Sequence, residues 1–451
     1  MPESRRDKPS RYHNPVSVIF TAFAGLILTG TVLLALPIAT ESRQPTDLTD
    51  ALFTASSAGT VTGLSVLDTA SHWSTFGELV ILLLMQVGGL GIMTFATLFA
   101  LVVTRRLGLR ARMIAQAETQ SVRARDVRRV VRNVVLFSLS TEAVVAIVLS
   151  LRFATAYPFG PGEATYQGIF HAVASFNNAG FSLNSDSVEG YATDPLVLLP
   201  IALLAIAGGL GFPVVFELLR AWRRPRTWSV LTRITLWVSG ALLLIGWVAF
   251  TAIEWANPHT MGPMSVPVKV LNGFFQSVTT RSTGFNAIPT SEMEHESWLI
   301  CDIFMFIGGG SASTAGGIKV TTFGLLAFVI WAELRGESRV NVGHRQLSET
   351  TQRQALTIAL LGVGIVVVGT VAILGLTDAS LDRVLFEVIS GALTVGLSNG
   401  LSMELGPGGK LVMSVLMYLG RVAPVVLGTT LALRERGRRH YELPEERPIV
   451  G

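Results

Sequence analysis

The sequence predicts an all-α polytopic membrane protein, with four span–pore-helix–span repeats in a pseudo-fourfold arrangement around one central pore. Three observations carry that expectation. Half of the 451 residues are apolar, only 15% are charged and the mean hydropathy is +0.52; the apolar residues come in runs of roughly twenty, enough to cross about 30 Å of hydrocarbon. Gly63, Gly180, Gly284 and Gly396 each have a phenylalanine ten positions earlier (Phe53, Phe170, Phe274, Phe386), then Leu or Phe and then Ser or Asn after them. Phenylalanine fills 23 of 451 positions, so a fourfold coincidence at one offset marks an internal repeat. Finally, arginine is concentrated in alternate linkers, the signature of cytoplasmic loops.

Taken in order, residues 1–14 form a polar tail carrying Arg5, Arg6, Lys8 and Arg11, with no cleavage pattern after the first apolar run, so it reads as a cytoplasmic tail. Repeat one (15–104) has a span from Val16 to Leu36, a short segment from Leu52 to Ser57 leading into Gly63, and a second span from Leu79 to Val103, interrupted by Gly88, Gly89 and Gly91. Repeat two (105–222) opens with a basic linker and places the Gly180 motif between Val130–Leu151 and Leu196–Leu219. Its second span carries GGLGFP from Gly208, an echo of GGLGIM from Gly88. Repeat three (223–334) spans Thr235–Ile253 and Ile300–Trp331 about Gly284, and repeat four (335–433) spans Ala355–Leu376 and Leu411–Leu433 about Gly396. The motif glycines recur about every 110 residues. Residues 434–451 are a second cytoplasmic tail.

The linker between repeats one and two has Arg105, Arg106, Arg110, Arg112, Arg123, Arg125, Arg128, Arg129 and Arg132 against Glu118 and Asp126. Further arginines mark the later junctions (Arg220, Arg223, Arg224, Arg226, Arg233; Arg335, Arg339, Arg345, Arg353) and the C-terminus (Arg434, Arg436, Arg438, Arg439). Linkers inside the repeats are acidic or neutral, so both termini are expected inside and the motifs enter from outside. The net charge of +4 therefore reports topology and gives no reason to expect nucleic acid. Cys301, the one cysteine, has no partner for a disulfide or metal site and reads as a small apolar residue. His72, His171, His259 and His344 lack metal-ligand spacing.

Non-helical backbone at membrane depth leaves N–H and C=O groups unpaired at several kcal/mol each, and is tolerated only in protein or along water. Four short helices ending in glycine-marked strands meet this condition by converging and turning carbonyls inward. A ring of carbonyl oxygens replaces a cation's hydration shell, and the helices aim their negative C-terminal ends at it. The candidate filter is Val61, Thr62 and Gly63; Asn178, Ala179 and Gly180; Ser282, Thr283 and Gly284; and Thr394, Val395 and Gly396.

With VTGLS, NAGFS, STGFN and VGLSN in these positions and GGGSASTAGGIKV from Gly308 to Val320, the chain resembles the Trk/Ktr/HKT superfamily of potassium transporters over residues 16 to 433. Within it the chain is most similar to the membrane subunit of bacterial Ktr systems. The resemblance implies K⁺ uptake across the plasma membrane with K⁺ held at the filter carbonyls, Na⁺ as a stimulating ion, a homodimer in the lipid bilayer, and a cytosolic ring of nucleotide-binding regulatory subunits of the KtrA/TrkA type. Nothing in the chain resembles a nucleotide-binding domain, so nucleotide control would come through that partner, for which the arginine-rich junctions are candidate docking surfaces. In some plant members the first filter glycine is serine and sodium selectivity increases; here all four are glycine, which favours K⁺.

Repeat three departs from the pattern. Gly308, Gly309, Gly310, Ser311, Ala312, Ser313, Thr314, Ala315, Gly316 and Gly317 are too glycine-rich and polar to stay helical in lipid, so a flexible loop is expected just below the filter. By resemblance this is an intramembrane gate; a kinked, closely packed helix is the other reading. Lys319 lacks the preceding glycine of a phosphate-binding loop. Lys319 and Arg421 are candidate gate residues: Lys319 either acts there or snorkels to the cytosolic interface, and Arg421, mid-span, is expected to tie down loop carbonyls. Glu142 reads as a bundle-facing carboxylate, and Glu292, Glu294 and Glu296 as an outer acidic loop. The alternatives are a Na⁺ or mixed-cation transporter of the same fold and, more remotely, an intramembrane serine protease built on Ser311, which leaves three of the four repeats unexplained. A transporter is expected to have no catalytic residues.

Overall fold

The computed structural model describes residues 15–112, 124–337, 339–342 and 345–433. The two tails, residues 113–123 of the arginine-rich linker and His344 lie outside the described residues. The helices are α1 (Pro15–Leu34), α2 (Leu48–Thr60), α3 (Thr69–His72), α4 (Thr75–Arg112), α5 (Ala124–Ala156), α6 (Pro161–Asn177), α7 (Pro195–Leu210) and α8 (Phe212–Ala221). They continue as α9 (Val230–Ile253), α10 (Val266–Thr279), α11 (His295–Phe306), α12 (Val320–Leu334), α13 (Glu349–Leu374), α14 (Leu381–Ala392), α15 (Leu401–Glu404) and α16 (Pro407–Leu433). The only strands among the described residues are the two-residue pair β1 (Asn341–Val342) and β2 (Arg345–Gln346), which run antiparallel, beside isolated bridges at Thr40–Trp73 and Ile307–Ile318.

Among the described residues four helices are long and apolar enough to cross a membrane, or five if the bent pair α7 and α8 is one span. Their outward faces carry large apolar side chains, among them Val144, Ile147, Trp237, Val248, Val367 and Val371, all more than half exposed. The interior is polar where the four short helices end: Thr60, Thr62, Asn177, Asn178, Ser282, Thr283 and Thr394 are buried. An apolar exterior round a polar centre is the arrangement that lipid selects and water does not.

The short helices α2, α6, α10 and α14 each pack against a long helix of their own repeat. Each also packs against a helix of the preceding repeat's second span: α6 on α4, α10 on α7, α14 on α11, and α2 on α16. The last contact joins the chain's two ends, reinforced by Lys410 of α16 on Asp50 of α2 at 2.5 Å. Three of the register phenylalanines, Phe53, Phe170 and Phe386, are wholly buried anchors of the short helices, whereas Phe274 is only half-buried and packs edge-on against Trp247.

Two second spans behave differently from the sequence expectation. The GGLGIM stretch is no interruption, since α4 runs straight through it. The matching GGLGFP stretch breaks the expected Leu196–Leu219 span at Gly211, where α7 and α8 meet at 101°. Pro213 explains the difference: it has no N–H to give the Gly209 carbonyl, and Gly211 adopts φ 89°, ψ 143°, open chiefly to glycine. The freed Gly209 carbonyl accepts instead from Gly310 N at 2.7 Å.

Candidate functional site

The C-terminal ends of α2, α6, α10 and α14 bring the twelve expected residues together, all buried. A Cβ added to Gly63 would lie 3.0 Å from Gly180 Cα, one on Gly180 3.0 Å from Gly284 Cα, one on Gly284 3.0 Å from Gly396 Cα, and one on Gly396 3.2 Å from Gly63 Cα. The four glycines thus form a closed ring in chain order, with Gly180 and Gly396 on one diagonal and Gly63 and Gly284 on the other.

The backbone repeats as well. Two residues before each glycine, Val61, Asn178, Ser282 and Thr394 have φ of 58°, 57°, 73° and 52°, and the glycines themselves 97°, 66°, 80° and 98°. The residues between them are not left-handed. Alternating handedness points successive carbonyls to the same side, as a cation-coordinating strand needs. A left-handed non-glycine residue costs of order 1–3 kcal/mol and persists only where its surroundings over-determine it. Here some of the braces are explicit: Gly63 N donates to Ser57 Oγ (3.0 Å), Gly396 N to Ser390 Oγ (3.1 Å), and Thr283 Oγ1 to Asn178 Oδ1 (3.0 Å).

Residues 308–317 form a non-helical segment between α11 and α12, buried except for half-buried Ser311. It is seated directly on the motif strands where they leave the short helices. Gly316 N donates to Ser282 Oγ (2.7 Å), whose hydroxyl donates to Thr394 O (2.7 Å); Gly317 N donates to Leu393 O (2.9 Å). Asn178 Nδ2 donates to Thr314 Oγ1 (2.7 Å), and that hydroxyl donates to Phe176 O (3.0 Å). The other edge rests in the α7–α8 break through Gly310, Thr314 N on Gly208 O (3.2 Å) and Phe212 N on Ala312 O (3.2 Å).

Lys319 does not reach for the cytosolic interface; its Nζ turns back to Ala315 O at 2.6 Å. Arg421 is buried and close enough to Lys319 for charge repulsion, but its Nε and Nη2 have no hydrogen-bond partner among the described residues. The tie to a loop carbonyl expected of Arg421 is made by Lys319. Ser311 Oγ is paired with Thr321 Oγ1 at 2.8 Å. Glu142 faces the bundle as expected, held by Gln86 Nε2 at 3.2 Å; Cys301 is buried. Glu292, Glu294 and Glu296 are exposed. Sequence reasoning gave His171 no role and did not weigh Glu387, although both stand directly behind the strands. Their signal was available in their shared offset from Gly180 and Gly396.

These features define a class: a polytopic helical membrane protein whose buried polar centre is made of four converging half-helices. The chain belongs to the TrkH family of cation transport proteins, whose family model matches residues 2–434. It is 38% identical to the Ktr system potassium uptake protein B of Vibrio alginolyticus over 100% of this chain and 98% of that protein. Against the protein of the same description from Bacillus subtilis it is 38% identical over 95% of each, and against the potassium/sodium uptake protein NtpJ of Enterococcus hirae 34% identical over 97% of each. The crystal structure of the potassium transporter TrkH from Vibrio parahaemolyticus has the same fold, with a TM-score of 0.71 at 17% identity, covering 96% of this chain and 87% of that one. The family is one of cation transporters, which removes the protease reading of Ser311.

Proposed function

We propose that the chain is the ion-conducting subunit of a potassium uptake system in the plasma membrane. Residues 15–104, 105–222, 223–334 and 335–433 are its four repeats, and the ring at Gly63, Gly180, Gly284 and Gly396 is a K⁺ filter. The observation that carries this reading is the convergence of the four glycines with one repeated backbone geometry. Carbonyls fixed by that geometry replace the hydration shell of a dehydrated cation, and the absence of side chains leaves the axis open. Two relatives named for potassium uptake, each matched over nearly its whole length, support the choice of ion.

Residues 308–317 act as the gate, because a buried segment seated on the filter's inner ends must move for an ion to pass. The positive charges of Lys319 and Arg421 beneath it add an electrostatic barrier to cations while it is closed. A cytosolic nucleotide-binding ring moves the gate, acting on a homodimer of this chain from the arginine-rich side, where both termini lie. A Na⁺ or mixed-cation reading has one observation in its favour, the relative named for potassium and sodium uptake. Competition between Rb⁺ and Na⁺ in a potassium-auxotrophic host separates the two. Rb⁺ uptake resistant to excess Na⁺ is expected, and Gly284→Ser is expected to erode that resistance; equal displacement by both ions in the parent protein would favour the mixed-cation reading.

A further inference from the structure

The residue that follows the register phenylalanine, nine positions before each filter glycine, is Thr54, His171, Phe275 and Glu387 in the four repeats. In repeats two and four it reaches the same target, the serine two positions beyond the glycine. His171 Nε2 is 3.0 Å from Ser182 Oγ, with Nδ1 donating to Gln167 O at 2.8 Å. Glu387 Oε1 accepts from Ser398 Oγ at 2.8 Å. These two repeats face each other across the ring, so the braces sit on one diagonal of the filter; Thr54 and Phe275, on the other, carry no ionisable group.

Glu387 goes further than a brace. It is 1% exposed, and it accepts from Ser398 Oγ, Ser402 Oγ and Ser402 N (3.1 Å) on Oε1 and from Asn399 N (3.2 Å) on Oε2. Two backbone N–H groups and two hydroxyls converge on its oxygens, the set of partners that stabilises a carboxylate. Among the described residues no cation stands against it: nearby Arg383 is committed to Glu404 at 2.9 Å. A buried anion held by hydrogen bonds but without a counter-charge is unusual, because burial of unpaired charge is costly. Its carboxylate contacts the strand two and three residues beyond Gly396, at the outer end of the ring.

From this we infer that Glu387 is a specificity-determining residue whose fixed negative charge is balanced by the cation in the outermost filter position, with His171 as the positioning residue of the opposite repeat. The inference rests on the filter reading above. Charge behind a carbonyl ring strengthens binding of the ion, while the two braces hold ring width on one diagonal.

The test is Rb⁺ influx against Na⁺ competition in proteoliposomes of the full chain, with Gly396→Ser as the control for the filter itself. Glu387→Gln should raise the apparent KM for Rb⁺ about tenfold, equivalent to ~1.4 kcal/mol, and lower Rb⁺ preference. Ser398→Ala, which keeps the carboxylate and cuts its link to the strand, should shift both in the same direction and less. His171→Phe, the residue repeat three uses, should lower preference, and His171→Gln, which still reaches Ser182, should restore it. If Gly396→Ser loses Rb⁺ preference while Glu387→Gln keeps the parent's KM and preference, the inference falls and the filter reading stands. If both variants behave as the parent, the filter reading falls with it. Should Glu387→Gln fail to reach the membrane, an unchanged Ser398→Ala overturns the inference by itself.

Discussion

At the scale of single residues, the filter depends on positions where only one chemistry fits. Val61, a β-branched residue held at φ 58°, is an outlier that its neighbours must enforce. Gly180→Ala should therefore lower Rb⁺ uptake at least tenfold at equal membrane abundance, because its added methyl meets Gly284 Cα at 3.0 Å; an undiminished rate would show that the ring has room to spare. In the linker between α6 and α7, burial first and Asp186 second raise the Glu189 carboxyl to about 7. A carboxyl whose folded pKa lies above its unfolded value stabilises the fold at low pH and loses that contribution as pH rises towards 7. Glu189→Gln should accordingly flatten the fall in melting temperature between pH 5 and 8. A variant with the parent's slope would place the pH dependence elsewhere.

At the scale of elements, the break between α7 and α8 and the segment 308–317 are one construction. The carbonyls that Pro213 and Gly211 release from helical pairing are the ones that seat the segment's amides. Pro213→Ala supplies a competing N–H for Gly209 O, and should loosen the segment and raise basal Rb⁺ flux a few-fold; flux at the parent's level would mean that Gly211 maintains the break unaided. Deleting residues 311–316 should raise flux more strongly, and a fall with protein still in the membrane would sink the gate reading. The polar, glycine-rich run at 308–317 was legible in the sequence because it cannot be a lipid-embedded helix. The α7–α8 break was not, because GGLGFP looks like GGLGIM until Pro213 is weighed as a missing donor. That Lys319 and not Arg421 ties a loop carbonyl was also hidden, since nothing in the sequence says that the Lys319 side chain turns back four residues to Ala315 O.

For the whole molecule, the fourfold register, the convergent short helices and the apolar exterior were all readable because repetition multiplies a weak local signal by four. Beyond the 308–317 segment, what the repeat could not tell was its asymmetry: one broken span, a half-buried Phe274, and the His171 and Glu387 braces on a single diagonal. Those differences arise from tertiary partners, and they are where one chain forming a ring by itself departs from four identical subunits. The central claim is that all four glycines belong to a single K⁺-selective ring. It is tested most directly by Rb⁺ influx with and without competing Na⁺ in proteoliposomes, comparing the parent with Gly63→Ser, Gly180→Ser, Gly284→Ser and Gly396→Ser singly. The ring account predicts that each substitution alone lowers the preference for Rb⁺ over Na⁺. Parental preference in all four variants, with protein present at equal amounts, would contradict it.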